Sequence, residues 1–163
     1  MGRIAMRAIR VKEEWARAGV YYVRTEAMVL GFELSLEGEF ADDTIESEYI
    51  LVVDDTGKPL STNRLHILPE RGIAKIERVA TVSTARGMGA GRVGIEAAEE
   101  WIREKQIHKI VITSREEATG FYEKLGYRIN PEMSPRTLEK KVPGEEEPVG
   151  DPRFICVYME KTI

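Results

Sequence analysis

ARGMGAGRVG, residues 85–94, carries glycines at positions 87, 89, 91 and 94, with Arg86 and Arg92 set among them. Upstream, AKIERVATV (74–82) alternates as a strand, with Ile76, Ala80 and Val82 expected on one face and Glu77, Val79 and Thr81 on the other. Arg78 then falls on the Ile76 face, where a charge is unexpected. Downstream, Ala90, Val93, Gly94, Ala97, Ala98, Trp101 and Ile102 recur at helical spacing, and Glu96, Glu99, Glu100 and Arg103 lie off that stripe. The stretch is therefore a strand–loop–helix junction. Glycines there let several backbone N–H groups face one point and let a ligand approach with no Cβ in the way. The first N–H groups of a helix have no intrahelical partner and favour an anion. Arg86 and Arg92 add forked donors suited to phosphate oxygens. Spacing alone leaves two readings open, a phosphate cradle and a glycine-softened turn.

Gly89, Gly91 and Gly94 match the dinucleotide fingerprint G-x-G-x-x-G letter for letter. The next strand, IVITSR (110–115), lacks the acidic residue that such a fold places at its end, and there is only one strand–helix–strand unit. The G-K-[ST] of a nucleoside-triphosphate loop is also missing.

The chain has 163 residues, the size of one compact domain spanning 1–163, with 42% hydrophobic and 32% charged residues. It has no apolar run of membrane-spanning length, and MGRIAMRAIR (1–10) is too polar for a secretory signal, so a cytoplasmic protein without a membrane partner is expected. A net charge of −4 and a pI near 5.4 argue against a nucleic-acid partner. An anionic ligand must then be held by a local device. The single cysteine, Cys156, excludes an internal disulfide, and with only His66 and His108 beside it no metal site is expected. Cys156 alternates with Phe154 and Tyr158 and reads as a small buried hydrophobe.

Elsewhere, VKEEWARAGVYYVRTEAMVLGF (11–32) repeats Val11, Trp15, Ala18, Tyr22, Thr25 and Val29 at helical spacing and predicts a helix buried along that stripe. LEGEFADDTIE (36–46) is an acidic loop or short helix. SEYILVV (47–53) and PLSTNRLHIL (59–68) flank the turn DDTGKP and read as a hairpin. On its second strand Arg64 and His66 share a face and are candidates to line an acceptor pocket. HKIVIT (108–113) is a strand covered on both faces. REEATGFYEKLG (115–126) is a short helix capped at Gly126, and YRI (127–129) starts another strand. Residues 131–152 hold five of the seven prolines and form a long irregular connection, and RFICVYME (153–160) closes the sheet. The order predicts an α/β or α+β fold, a mixed sheet with helices packed on it.

VATVSTARGMGAGRVGIEAAEEW (79–101), followed by KIVITSREEATGFYEKLGYRI (109–129), resembles the GNAT superfamily of acetyl-CoA-dependent N-acetyltransferases. Arg86, Gly89 and Gly91 supply its R/Q-x-x-G-x-G/A loop, and Phe121, Tyr122, Gly126 and Tyr127 its later aromatic–Tyr–glycine element. VYYVRTEAMVLGFE (20–33) and Glu77-Arg78-Val79 resemble elements of a small bacterial subgroup. The resemblance implies a mixed sheet of six to seven strands, splayed at its centre, with helices on both faces. It implies acetyl-CoA as co-substrate, pantetheine along Val79, Ala80 and Thr81, and pyrophosphate wrapped by Arg86, Gly87, Met88, Gly89, Ala90, Gly91 and Arg92. Tyr122 takes the position of the general acid, a role that suits a phenol because it stays protonated at neutral pH. Glu77 is the candidate base. The acceptor is expected to be a primary amine of a small molecule; small members of the family are often homodimers, and the sequence itself leaves the assembly open. The same scaffold also serves a non-catalytic acyl-CoA-binding sensor or a peptide or protein N-acetyltransferase. The family pattern is broken at two positions. Arg115 replaces an asparagine common in the family and is a candidate to reach a cofactor phosphate. Ser83 replaces a common proline and is expected to change little.

Overall fold

The computed structural model describes residues 5–133 and 155–163. The elements run β1 (Met6–Arg10), α1 (Glu14–Arg24), a π-helical continuation (Thr25–Leu30), α2 (Leu36–Phe40), β2 (Glu48–Asp54), β3 (Pro59–Leu68), β4 (Ile73–Thr81), α3 (Ala90–Glu104), β5 (Lys109–Arg115), α4 (Thr119–Lys124), β6 (Arg128–Ile129) and β7 (Cys156–Thr162). They build one seven-stranded sheet in the order β1-β2-β3-β4-β5-β7-β6. The predicted hairpin is present. Its turn is held by Asp54, whose Oδ1 accepts from the Thr56 and Lys58 amides, with Gly57 at φ +84.

β1 to β4 are antiparallel neighbours, and β5 joins β4 in parallel through only three residue pairs, Ile73–Lys109, Ala74–Ile110 and Lys75–Val111. Beyond Lys75 the two strands part. Among the described residues the rest of β4 keeps β3 on one side and has no strand on the other, which is the central splay. β7 pairs with β5 along its whole length, so the last strand inserts between β5 and the two-residue β6 instead of forming an edge.

Helices cover both faces, and two glycines show how closely. A Cβ on Gly94 of α3 would lie 3.2 Å from Asn63 Nδ2 and 3.3 Å from Val52 Cγ2. A Cβ on Gly19 of α1 would lie 2.8 Å from Leu51 Cδ2. Leu51 and Val52 are neighbours on β2 and point to opposite faces, so α1 and α3 sandwich the sheet between them. Among the described residues no helix is long and apolar enough to cross a membrane.

Several sequence expectations are corrected. The buried stripe of α1 is Ala16, Val20 and Val23, continued by Ala27 of the π-helical segment, while Trp15 and Tyr22 are each 56% exposed. Both stripes fit helical spacing. The small residues win because α1 must approach Leu51 too closely for an indole to intervene. Arg78 does not share the Ile76 face. On β4 the step from Glu77 to Ala80 spans the step from Arg64 to Thr62 on β3, which is a β-bulge, and Arg78 sits in it at φ +51. The bulge resets the alternation, so Ala80 lies on the face of Glu77. Glu99 is buried, because Tyr127 Oη donates to it at 2.7 Å and Lys161 Nζ at 3.0 Å. Cys156 opens β7 as an exposed residue. The 131–152 connection lies outside the described residues from 134 onward.

Candidate active site

β4 leads into a short turn, Ser83–Ala85, then into the glycine loop, and α3 begins at Ala90. Gly87 (φ +80) and Gly89 (φ +86) adopt conformations that L side chains rarely take, and a Cβ on either would meet nothing within 4 Å. The loop surface is thus bare backbone. Val93 N–H donates to Gly89 O at 3.1 Å. The preceding amides of Ala90, Gly91 and Arg92 are left at the open, positive end of a 15-residue helix. Arg86 and Met88 are exposed beside them. Arg92, also exposed, donates from Nε to Glu96 at 2.9 Å. Gly91 has a different reason to be small, since its Cβ would lie 3.3 Å from Phe121 Cζ and 3.6 Å from Thr81 Oγ1. The donor set, amides at a helix start flanked by guanidinium groups, fits the diphosphate of a coenzyme.

The wall of the splay comes from β4. Val82 N–H bonds Leu60 O on β3 at 2.9 Å. Backbone hydrogen-bond direction alternates along a strand, so the peptide groups of Thr81 point away from β3 into the splay. Ser61 Oγ fixes this end of the strand by donating to Ala80 O at 2.8 Å. Val79 lies in the bulge, whose extra residue leaves ladder groups unpaired.

Tyr122 is buried on α4, with its ring edge-on to Phe121 and Tyr127 at 5.0 and 6.1 Å. Burial pushes its hydroxyl pKa well up, and the positive charge of Arg115 only partly offsets this. The phenol therefore keeps its proton. Arg115, at the end of β5, lays its guanidinium over the Phe32 ring at 4.6 Å.

Glu77 lies just beyond the last β4–β5 pair and is half-buried. Its Oε1 accepts from Arg64 Nε at 3.0 Å, with His66 Nδ1 at 3.8 Å, and Lys75 Nζ lies 3.7 Å from Oε2. Arg64 and His66 do share the Glu77 face, but Arg64 is buried in ion pairs whereas His66 is exposed.

The sequence reading gave no role to the charge network under this site. Arg24, fully buried, donates from Nε to Glu39 at 3.0 Å and from Nη1 and Nη2 to both oxygens of Asp43 at 2.6 and 2.8 Å. Arg64 joins Asp43 at 2.8 Å and Asp42 at 2.9 Å, and Arg78 reaches Asp42 at 3.2 Å. The available signals were an arginine four residues after Val20, on the side of the helix that also carries Val23 and Ala27, and the acidic run 36–46. Ser83 was also underrated, because its N–H and Oγ both donate to Glu26.

A splayed mixed sheet with a glycine-lined helix start at the open end of β4 defines an acyl-CoA-dependent transferase. Residues 9–127 match the Acetyltransferase (GNAT) family, and the chain belongs to it. It is an N-acetyltransferase of that family and uses an acyl-CoA co-substrate. It is 29% identical over 124 residues to the uncharacterized N-acetyltransferase YjcF of Bacillus subtilis, covering 76% of this chain and 86% of that protein. A crystal structure from Lactobacillus plantarum, classed as an N-acetyltransferase, superposes with a TM-score of 0.79 at 28% identity, over 97% of this chain and 98% of that one. Tetrahymena GCN5 shares the fold, with a TM-score of 0.72 at 10% identity over 98% and 96% of the two chains.

Proposed function

We propose that this enzyme moves an acetyl group from acetyl-CoA to a primary amine of a small-molecule acceptor by direct attack. The observation that carries the reading is the parting of β4 and β5 after Lys75–Val111, which separates the strand that leads to the glycine loop from the strand that leads to Tyr122. Arg86 to Arg92 hold the pyrophosphate, chiefly through loop and helix-start amides, and Arg115 stands at the opposite strand end. Val79, Ala80 and Thr81 supply the strand edge along which pantetheine lies. Bound acetyl-CoA supplies the activated thioester. A backbone N–H of the splayed strand β4 donates to the carbonyl oxygen on which negative charge develops. Glu77, which accepts from Arg64 Nε, takes the proton of the attacking amine directly or through water. Tyr122 delivers its phenolic proton to the departing sulfur. Burial keeps that phenol protonated through the neutral range, so the proton is present when the thiolate departs.

The test is a thiol-release screen with acetyl-CoA against a broad amine panel, run on wild type and Tyr122→Phe. The expected result is turnover by wild type and a kcat lower by about a hundredfold in the variant, with acetyl-CoA affinity unchanged. Acetyl-CoA binding without turnover of any amine, and thiol release indifferent to Tyr122→Phe, would identify a non-catalytic sensor instead. Turnover restricted to peptides would redirect the acceptor assignment.

A further inference from the structure

Glu26 and Ser83 form a contact that no step of the proposed mechanism uses. Glu26 lies in the π-helical segment that continues α1, and Ser83 is the first residue of the turn between β4 and the glycine loop. The Ser83 amide donates to Glu26 Oε2 at 3.0 Å and lies 3.3 Å from Oε1, to which the Ser83 hydroxyl also donates. One carboxylate therefore takes both donors of a single residue. The amide of Ser83 heads a turn, where no helical partner is available to it. Hydrogen bonds to an ionised acceptor are about twice as strong as neutral ones. From Ser83 the chain is short and tightly turned. Ala85 N–H bonds Val82 O at 3.0 Å and Met88 N–H bonds Ala85 O at 3.3 Å, after which Gly89 caps α3. Whatever fixes Ser83 fixes the register in which the loop amides are presented.

The same segment reaches the other arm of the splay. Phe32, which follows it, lies under the Arg115 guanidinium at the end of β5. The chain from Glu26 to Phe32 thus bridges the two arms of the splay, tied to the end of β4 by the carboxylate and to the end of β5 by the ring. A proline after β4, common in the family pattern, has no N–H and cannot make the first of these ties.

We infer that Glu26 is a positioning residue for the cofactor loop. Through Ser83 it holds the loop in the form that binds acyl-CoA, and it couples that form to the helical segment that bridges the two arms. This inference rests on the acyl-CoA reading of the loop.

Calorimetric titration with acetyl-CoA tests it on wild type, Glu26→Ala, Glu26→Gln and Ser83→Pro, together with amide hydrogen exchange on the ligand-free proteins. Glu26→Ala should weaken acetyl-CoA binding about tenfold, the loss of a charge-assisted hydrogen bond, and should speed exchange across residues 83–89 while β2 and β3 keep their protection. Glu26→Gln retains an acceptor oxygen and should stay within about threefold of wild type. Ser83→Pro should fold, because Val82 already has the extended backbone a following proline requires (φ −59, ψ 147), and should bind as weakly as Glu26→Ala. Glu26→Ala or Ser83→Pro with wild-type affinity overturns the inference. So does Glu26→Gln as weak as Glu26→Ala, since charge rather than the tie to Ser83 would then be responsible. Wild-type protein that does not bind acetyl-CoA defeats the acyl-CoA reading and the inference together.

Discussion

Lys75 and Val111 are the last partners that β4 and β5 share, and from that pair the strands lead to opposite ends of the site. β4 runs on through Glu77, the bulge at Arg78 and the peptide groups of Thr81 to the glycine loop. β5 runs to Arg115 and α4, which carries Tyr122. A parallel pair that ends after three residues leaves an edge inside the sheet. Unpaired strand edges invite another strand to pair. Here the edge belongs to a strand in contact with both α3 and the helical segment after α1.

Gly89→Asp should abolish acetyl-CoA binding while the fold persists. Gly89 caps α3 at φ +86 with nothing around its missing Cβ, so aspartate enters without a clash and at a backbone cost of about 1 kcal/mol. Its carboxylate, however, stands where the pyrophosphate is proposed to lie, and like charges in contact cost several kcal/mol. Calorimetry should show a loss of at least about a hundredfold with unchanged far-ultraviolet circular dichroism. Unaltered affinity would remove the loop from the cofactor site.

Gly94→Val should do the reverse, lowering stability and sparing affinity. Its Cβ would press on Asn63 Nδ2 and Val52 Cγ2 at 3.2 and 3.3 Å, and its branches would add to the crowding against buried neighbours. Overpacking of this kind costs about 1–3 kcal/mol, which thermal unfolding should register as a drop of about 5 °C. Acetyl-CoA affinity measured well below the transition should match wild type. Together the two variants separate the loop glycine from the packing glycine.

The loop, α3 and the strand on each side of it were legible because glycine spacing and helical periodicity are local signals. The face of α1 was not, because two stripes of that helix share the same period. What selects Ala16 and Val20 over Trp15 and Tyr22 is the close approach of Gly19 to Leu51, a contact between distant parts of the chain. The bulge at Arg78 was hidden for a similar reason, since it exists only in the pairing with β3. The partners of Glu77 were not legible. Alternation put Arg64 on the face of His66, but its hold on Glu77 depends on strand pairing, and its hold on Asp42 and Asp43 on where the acidic segment folds back.

Stability should fall at both pH extremes for identifiable reasons. Burial alone would raise the Asp43 carboxyl, but hydrogen bonds from Arg24 and Tyr49 and the charges of Arg24 and Arg64 outweigh it and hold the pKa at about 2. The unfolded chain titrates near 3.9. The contribution is therefore complete above about pH 4 and is lost as pH falls through the folded value. Asp43→Asn should make the acid limb of a urea-denaturation series shallower by about one proton. On the alkaline side, burial and the hydrogen bond to Asp43 push Tyr49 up to about 12, and burial raises Tyr122 and Tyr127 as well. Unfolded tyrosines lose their protons near pH 10 while these keep theirs, so stability should decline from about pH 10 upward. An alkaline limb unchanged in Tyr49→Phe would contradict the assignment.

Arg24→Met should be among the most destabilising single changes in the chain. The guanidinium is fully buried, spans Glu39 and Asp43, also donates to Glu39 O at 2.8 Å, and lies over the Phe40 ring at 4.4 Å. Removing it strands two carboxylates of low exposure. Arg78 still approaches Glu39 at 3.6 Å and Arg64 still holds Asp43 at 2.8 Å, which places the cost at the low end of a broken buried pair, about 3 kcal/mol. Thermal unfolding should drop by about 10 °C. Arg24→Lys should recover little, because a single ammonium on a flexible stem cannot meet Glu39 Oε1, Glu39 O and both oxygens of Asp43 at once. The double variant Arg24→Met/Asp43→Asn should be more stable than Arg24→Met alone, since it removes one of the stranded charges. If instead the two losses simply add, the network is not what holds α1 to the acidic segment.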